Sequence, residues 1–335
     1  MVADELRAAR DRGSEDGASR ACIACGCEVR RPLYRKDGYV YVACPGCGLA
    51  HLDPVPTDAE ARAIFDYGYF TGRLVGGYDD YEADEPLHRR NSSARLDLIE
   101  RERGGRGGTL LDVGCAFGFF LDEARARGWK VDGVEVSPLV ADAARRRFVL
   151  NVVPELAEVA AARPATYDVV TVFQVLEHVS RPDDVLRLVG RCLRPGGTIV
   201  IETWDRASLV ARASGRHWHE VAPPSVVWLF NRASLPHLLR RAGLEDVRVM
   251  PGAKLVSLRF AGSLLDSPGQ QSPLAVLGRV LRSRPLRDRA VRYRLGDLLT
   301  VVARRSVRDV QPVDAVEQIE ETGETQQTGE TQPLG

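Results

Sequence analysis

Short apolar runs alternate with amphipathic stretches from residue 109 to residue 203. Runs with the length and composition of strands are TLLDVG, KVDGVEV, FVLNVV, YDVVTVF and TIVIET. Two further strands are predicted at LEDVRVM and DLLTVVAR, with a helix in NRASLPHLLRRAG before the first of them. Strands that alternate with helices along a chain form a parallel sheet with helices on both faces. The pattern therefore predicts an α/β fold with a doubly wound sheet of seven strands.

The segments on either side of this region lack its periodicity. Residues 1–20 are charged and small, which predicts a disordered lead-in, whereas 312–335 carries only acidic charges and repeats TGETQ, which predicts a disordered acidic tail. Thr57 and Glu60 have the spacing of a capping box, so a helix should begin there. The remaining divisions that we predict are a cysteine module at 21–58, a helical linker or cap at 59–106, and a main domain at 107–311 with insertions on its substrate side at 206–230 and 253–296.

The cysteine module contains two knuckles, CIACG and CPGCG, each with two residues between its cysteines. Turns of this kind direct main-chain amides at thiolate sulfurs, and four thiolates complete a tetrahedral zinc site without an open position. We therefore predict a small zinc-ribbon-like module with a structural Zn²⁺ bound by Cys22, Cys25, Cys44 and Cys47. Cys27 lies close enough to compete with Cys25, so its part in metal binding stays open, as does a cysteine cluster without metal.

A glycine turn follows the first predicted strand, in LLDVGCAFGFFL. Gly114 and Gly118 let the main chain turn sharply and approach a ligand. Asp112 would repel a pyrophosphate, whereas Glu135, at the end of the next strand, is placed to accept hydrogen bonds from a ribose diol. A ribose, no phosphate and a positively charged portion near Asp112 together describe S-adenosylmethionine (SAM).

With these motifs the chain resembles the class I SAM-dependent methyltransferases. The resemblance rests on LLDVGCAFGFFL, VDGVEVS, YDVVTVFQVLEHVSRPDDVL and CLRPGGTIVIET, over roughly 109–250 with a last strand near 297–304. It implies a Rossmann-like methyltransferase sheet. The cofactor-binding residues that it implies are Asp112, Gly114, Ala116, Gly118 and Glu135 in the first two loops, and Phe173 and Gln174 beside the transferred methyl. Ala116 departs from the usual glycine, and we expect it to be tolerated if its φ is negative.

The knuckles and the entry CGLAHLDPVP resemble bacterial small-molecule methyltransferases that modify sugars and polysaccharides. No Tyr-x-Glu-His motif of the zinc-bearing sugar C-methyltransferases is present, nor the Asn-Pro-Pro motif of enzymes that methylate base amines. We therefore expect methyl transfer to a small-molecule acceptor, preferably at oxygen, such as a sugar, a polysaccharide precursor or a secondary metabolite.

Three residues are candidates for the chemistry. Glu177 and His178 follow the fourth strand, over the expected methyl position, and His178 is the best-placed imidazole for removing a hydroxyl proton. His219 lies in a segment that covers the substrate in relatives. The alternatives are that Glu177 and His178 shape the loop and that His219 packs or lies at the surface.

Composition limits the partners. Lysine plus arginine and aspartate plus glutamate each number 46, so no net charge attracts a polyanion. No apolar run has the length of a membrane span and the N-terminus has no signal core, so we expect a cytoplasmic protein. Seven cysteines then indicate metal ligands or buried thiols rather than disulfides.

Other interpretations stay open. One is a zinc-containing RNA methyltransferase, although eight basic and nine acidic residues in 1–58 make a poor surface for nucleic acid. Another is a non-catalytic cofactor-binding scaffold. The stretch 279–294 contains seven arginines. We favour a solvated helix whose charge the acidic tail neutralises. Contact of this stretch with anionic lipid is the alternative. The sequence does not give the acceptor or the oligomeric state.

Overall fold

The computed structural model of the protein describes residues 21–65, 69–70, 80–265, 273–283 and 289–307. The predicted lead-in at 1–20 and the predicted tail at 312–335 lie outside the described residues. None of the helices within the described ranges has both the length and the apolar character that crossing a membrane requires.

The strands of the described residues form two main sheets and one small hairpin. They are β1 (Arg31–Lys36), β2 (Tyr39–Ala43), β3 (Ala50–Leu52), β4 (Gly108–Val113), β5 (Trp129–Val134), β6 (Val152–Val153), β7 (Tyr167–Phe173), β8 (Leu193–Trp204), β9 (Trp228–Leu229), β10 (Leu244–Pro251), β11 (Lys254–Ser257), β12 (Ala290–Tyr293) and β13 (Leu298–Arg305).

Helices connect most of these strands. They are α1 (Asp58–Ile64), α2 (Glu85–Arg103), α3 (Phe119–Ala126), α4 (Pro138–Phe148), α5 (Leu156–Ala162), α6 (Pro182–Cys192), α7 (Leu209–Ser214), α8 (Ser234–Arg241), α9 (Leu258–Leu265) and α10 (Pro273–Leu281). The predicted capping box is present at the start of α1, where the Thr57 side chain accepts from the Glu60 amide and the Glu60 carboxylate accepts from the Thr57 amide.

The larger sheet has seven strands in the order β10-β13-β8-β7-β4-β5-β6, which confirms the predicted doubly wound α/β fold. The chain enters at the centre with β4, proceeds to one edge through β5 and β6, and then crosses back to β7 and β8. Strand order therefore reverses between β4 and β7. At such a point the loops beyond the carboxyl ends of the strands separate and leave a crevice for a ligand.

Two details differ from the sequence-based expectation. The sheet is mixed rather than wholly parallel, because β13 inserts antiparallel between β8 and β10. In the predicted strand FVLNVV only Val152 and Val153 pair with β5, since Phe148 still belongs to α4 and Val149 adopts a left-handed backbone with φ 52° at the helix end.

The smaller sheet joins the cysteine module to the main domain. Its strand order is β1-β2-β3-β9, and β9 comes from the segment after β8 rather than from the N-terminal part of the chain. Ala50 and His51 of β3 pair with Leu229 and Trp228 of β9. The hydrophobic core is continuous across this junction, because the cysteine module and one face of the large sheet belong to the same cluster of buried side chains.

The arginine-rich stretch is not the single solvated helix that we expected. Helix α10 ends at Leu281, and Ala290–Tyr293 is a strand that pairs antiparallel with β11. Tyr293 is buried, so one side of this strand packs inward. The helical interpretation is therefore wrong for Ala290–Tyr293. Residues 284–288 lie outside the described residues, and contact of this stretch with lipid stays a prediction.

Candidate active site and metal site

A cavity of about 830 Å³ opens at the carboxyl ends of β4, β5, β7 and β8. This is the crevice that the reversal of strand order predicts. The sequence-predicted residues that line it are Asp112, Gly114, Ala116, Glu135, Phe173, Gln174, His178 and His219. Gly118 and Glu177 are not among its lining residues.

The two glycines of the turn after β4 have backbones that a side chain would disturb. Gly114 has φ 77°, and a Cβ there would lie 2.4 Å from Cγ2 of Val175. Gly118 has φ 80° at the start of α3, where a Cβ would lie 2.6 Å from Cδ1 of Leu150. Gly114 therefore keeps the main chain close to the cavity, while Gly118 acts behind it by allowing α3 to begin.

Ala116 also adopts a left-handed backbone, with φ 46°. The condition under which we expected Ala116 to be tolerated, a negative φ, is therefore not met. The reason is visible in its hydrogen bond: the Ala116 amide donates to Oε2 of Glu135 over 3.0 Å, and the turn must place that N–H toward the next strand. The other oxygen of Glu135 accepts from the Ser137 amide over 2.9 Å. One buried carboxylate thus connects the glycine turn to the loop before α4.

Asp112 ends β4 beneath the turn and is buried. The Thr171 hydroxyl donates to its Oδ1 over 2.6 Å. Burial raises the pKa of Asp112 to about 7, because removal of water disfavours the charged form more than the Thr171 hydrogen bond supports it. A cationic group in the cavity would restore the carboxylate form.

His178 lines the cavity after β7, and its ring contacts Phe65 and Tyr69. Its Nδ1 lies 2.7 Å from the carbonyl oxygen of Ser225. Because a carbonyl only accepts, this hydrogen bond requires the proton on Nδ1 and leaves a lone pair on Nε2. Burial lowers the pKa of His178 to about 4, so the ring is neutral near pH 7.

Glu177 lies behind the cavity wall. Its Oε2 accepts from the Thr203 hydroxyl over 3.0 Å, and burial raises its pKa to about 7. Its carbonyl oxygen accepts from the amides of Val227 and Trp228, over 2.7 and 3.0 Å. These contacts connect the segment around β9 to the loop that carries His178.

His219 lies at the other end of the cavity. Its ring stands edge-to-face against Trp204, with centroids 4.6 Å apart, and its Nε2 lies 3.4 Å from Oε1 of Glu220. Burial lowers the pKa of His219 to about 4 and raises the pKa of Glu220 well above its usual range. The His219 ring is therefore neutral at pH 7.

The four predicted metal ligands come together in the cysteine module. The sulfur atoms of Cys22, Cys25, Cys44 and Cys47 all lie within 4.8 Å of one another, with 3.6 Å between those of Cys22 and Cys47 and 3.5 Å between those of Cys25 and Cys44. A tetrahedral zinc ion with Zn–S bonds of about 2.3 Å separates its sulfurs by about 3.8 Å, so the cluster fits this ion. The sulfur of Cys27 instead faces the carbonyl of Val29, 3.8 Å away.

The two knuckles have the same main-chain hydrogen bonds. The amide of Gly26 donates to the Cys22 carbonyl and the amide of Gly48 to the Cys44 carbonyl, both over 2.8 Å. Each first cysteine also donates its amide to the carbonyl five residues later, at Cys27 and Leu49. Two equivalent turns thus face each other across the sulfur cluster, as in a closed structural site.

Comparisons with known proteins show the family to which the chain belongs. A family profile described as a methyltransferase domain matches residues 84–249. A ubiquinone biosynthesis O-methyltransferase of Azoarcus sp. is 31% identical over 182 residues, which cover 51% of this chain and 78% of the relative. The chain belongs to the class I SAM-dependent methyltransferases.

Other methyltransferases match over different shares of their length. A ubiquinone biosynthesis O-methyltransferase of Chromobacterium violaceum is 32% identical over 128 residues, 36% of this chain, and the match spans only 55% of that relative. A crystal structure of a SAM-dependent methyltransferase from Thermotoga maritima superposes with a TM-score of 0.46 at 17% identity, covering 71% of this chain and 99% of that one.

Membership of this methyltransferase family implies SAM as the cofactor, and the cavity fits it. The turn at Gly114 brings backbone to the cavity where a Cβ has no room. Carboxylates of Asp112 and Glu135 line the same end, which suits a ligand with a cationic portion and hydroxyl groups. The cavity also extends to His219 and Lys254, so it has space for an acceptor beside the cofactor.

Lys254 and Arg95 are among the charged groups of this methyltransferase cavity that sequence reasoning missed. Lys254 and Arg95 both line it, and Arg95 pairs with Glu202 through Nε at 3.0 Å while its guanidinium lies over the Phe173 ring. A signal for Lys254 exists in the sequence, because it is one of only three lysines in an arginine-rich chain and stands in the apolar run AKLV. Arg95 has no comparable signal.

Proposed function

We propose that the chain transfers a methyl group from SAM to a hydroxyl oxygen of a small molecule. The observation that carries this proposal is the protonation state of His178. Its Nδ1 donates to the Ser225 carbonyl, which leaves Nε2 as a proton acceptor at a cavity that also contains the cofactor turn. A hydroxyl nucleophile must lose its proton as the oxygen–methyl bond forms, so it needs such an acceptor.

Asp112 and Glu135 bind the cofactor in this proposal. When bound, SAM supplies an electrophilic methyl group on a sulfonium sulfur. The turn at Gly114 and Ala116 lines this end of the cavity and orients the cofactor, which matters because methyl transfer depends chiefly on alignment of the reacting atoms.

His178 accepts the acceptor's proton as the oxygen–methyl bond forms. A neutral imidazole with a pKa of about 4 is available at any physiological pH but is a weak base. It therefore suits a hydroxyl that ionises readily, such as a phenol, better than an alcohol. The O-methyltransferase activity named for the relatives from Azoarcus sp. and Chromobacterium violaceum supports oxygen as the accepting atom.

The test measures S-adenosylhomocysteine formed from SAM with a panel of phenolic and sugar hydroxyl acceptors. We expect His178→Gln to lower kcat by about 10² to 10⁴ while the Kd for SAM changes little, because the imidazole acts only on the acceptor. His217→Gln is the matched control, since the His217 side chain is exposed and is not among the lining residues of the cavity. A His178→Gln enzyme with unchanged kcat would contradict the proposal.

Two results would favour the alternative functions. A folded protein that binds SAM but methylates no small acceptor would favour a non-catalytic scaffold. Methyl transfer to RNA, with affinity that falls as salt is added, would favour an RNA methyltransferase.

We also propose that Cys22, Cys25, Cys44 and Cys47 hold one structural zinc ion. The sulfur spacing supports this proposal, and the donor set of four thiolates leaves no position for a substrate. Elemental analysis should give one zinc per chain, and Cys27→Ser should retain it.

A further inference from the structure

Lys254 begins β11, and its side chain is a cation at the cavity wall. Its Nζ lies 3.2 Å from Oε1 of Gln174, the residue directly after β7. The same Nζ lies 4.7 Å from the centre of the Trp204 ring and 5.5 Å from that of Phe260. Within the described residues no carboxylate oxygen lies within 4 Å of this ammonium group.

Three acidic side chains interact with Lys254 through space, namely Glu202, Glu220 and Glu177, and each has a closer partner elsewhere. Glu202 is already paired with Arg95. Glu220 lines the cavity with its Oε1 3.4 Å from Nε2 of His219, and burial raises its pKa well above the usual range. Glu177 accepts from the Thr203 hydroxyl. Burial lowers the pKa of Lys254 to about 8, which leaves the ammonium form predominant at neutral pH. At this end of the cavity the Lys254 ammonium group thus lines the wall without a carboxylate in direct contact.

The walls around this charge are aromatic. Phenylalanine, tyrosine and tryptophan make up only 7% of the chain, yet Trp204 and Phe260 stand beside Lys254, and Phe65 and Tyr69 stand beside His178 along the same cavity. Aromatic walls favour a planar ring, because such a ring can stack on them or meet them edge to face.

We propose that Lys254 binds an anionic oxygen of the methyl acceptor, either a carboxylate or an ionised phenol, and that the acceptor carries it on an aromatic ring. The inference rests on the proposed function only in taking this part of the cavity as the acceptor end. A buried ammonium with one neutral hydrogen bond retains two donors, and an anionic oxygen is the ligand that satisfies both its charge and its donors.

Binding without turnover tests this assignment. The full chain is saturated with S-adenosylhomocysteine, which has no methyl group to transfer, and titrated calorimetrically with 3,4-dihydroxybenzoate and with its neutral analogue 3,4-dihydroxybenzamide. We expect the carboxylate to bind at least about tenfold more tightly than the amide, as for a charge-assisted hydrogen bond. Lys254→Met should remove this preference and Lys254→Arg should retain it.

The chain supplies a matched control, because Lys130 is exposed on β5, away from the cavity lining. Lys130→Met should keep the preference for the carboxylate. A third ligand, 4-nitrocatechol, distinguishes the two anionic oxygens, since its ionised phenol absorbs visible light. The ionised spectrum in complexes of the wild type at pH 5, where the free ligand is largely protonated, and its absence with Lys254→Met would assign Lys254 to a phenol oxygen. A preference for the carboxylate ligand without the ionised 4-nitrocatechol spectrum would assign Lys254 to a carboxylate.

Several outcomes would overturn the proposal. The first is equal binding of 3,4-dihydroxybenzoate and 3,4-dihydroxybenzamide by the wild type, without the ionised spectrum of 4-nitrocatechol. The second is no binding of any of the three ligands. The third is a preference for the carboxylate that survives in Lys254→Met. The wild-type comparison requires no variant, so it decides the matter even where a substitution impairs folding. Anion preference without methyl transfer would contradict the proposed function alone.

Discussion

Ala116 has a backbone conformation that suits glycine better than alanine. A left-handed φ costs an L-residue about 1–2 kcal/mol, and part of this is regained because alanine loses less entropy on folding than glycine. We expect Ala116→Gly to raise the free energy of unfolding by about 0.5–1 kcal/mol and to change the Kd for SAM only slightly. Denaturant titration and calorimetry measure the two quantities.

Ala143 provides the contrast, because it lies inside α4 with ordinary helical geometry. Ala143→Gly should lower the free energy of unfolding by about 1 kcal/mol. Destabilisation by Ala116→Gly of the same size as by Ala143→Gly would mean that the turn does not strain Ala116.

Asp112 should make cofactor binding depend on pH. Its pKa of about 7 in the free protein means that the carboxylate is progressively lost as pH falls below 7, and the carboxylate is the form that attracts a cation. We expect the Kd for SAM to be about tenfold higher at pH 6 than at pH 8. Asp112→Asn should bind SAM weakly at both values.

Calorimetry at pH 6, 7 and 8 measures this dependence. Asp142→Asn serves as control, since Asp142 is half-exposed on α4 and should leave the pH dependence intact. A Kd that does not vary with pH in the wild type would show that Asp112 does not control cofactor affinity.

At the scale of elements, the long buried strands were predictable and the short paired ones were not. The run YDVVTVF is buried along almost its whole length in β7, so its apolar composition is a direct signature. In contrast, β9 has two residues, and its existence depends on β3, far away in the chain. Likewise, the sequence of β12 predicts part of an arginine-rich helix, and only the pairing with β11 makes it a strand.

The residues of the functional site also divide into those that the sequence predicts and those that it does not. Residues that belong to local motifs, such as Gly114 and the knuckle cysteines, were recognisable because their spacing carries the chemistry. Other features depend on contacts between segments that are distant in sequence. They are the left-handed backbone of Ala116, the position of Glu177 behind the cavity wall and the position of Lys254 at that wall. No local pattern records such contacts, which is why the acceptor end of the cavity was less predictable than the cofactor end.

At the scale of the whole molecule, a chain of contacts connects the cysteine module to His178. The amide of Leu52 donates to the Val227 carbonyl over 2.9 Å, and the Tyr41 hydroxyl donates to the Val226 carbonyl over 2.5 Å. The neighbouring carbonyl of Ser225 holds the ring of His178. The module therefore acts as a support for the segment that orients this imidazole.

Loss of the metal should consequently affect turnover more than cofactor binding. We expect Cys25→Ser to lose zinc, to lower kcat by about tenfold or more, and to leave the Kd for SAM within about twofold, because misplacement of a reacting group costs rate. Zinc content, kcat and amide exchange at Val227 and Trp228 are the measurements, and exchange at both amides should accelerate.

Cys27→Ser is the matched control, since its sulfur faces away from the other four. It should retain zinc, kcat and slow exchange. A zinc-free Cys25→Ser protein with full kcat would show that the module does not support His178.

The pairing of β3 with β9 also has a consequence for synthesis on the ribosome. Both knuckles emerge before Trp228 has been translated, so the small sheet lacks its fourth strand until most of the main domain has been made. During that interval β3 is an open edge, able to pair with other nascent chains. The cysteine module is made before the main domain and is thus completed after most of it, and early capture of a metal ion would protect the module during that interval.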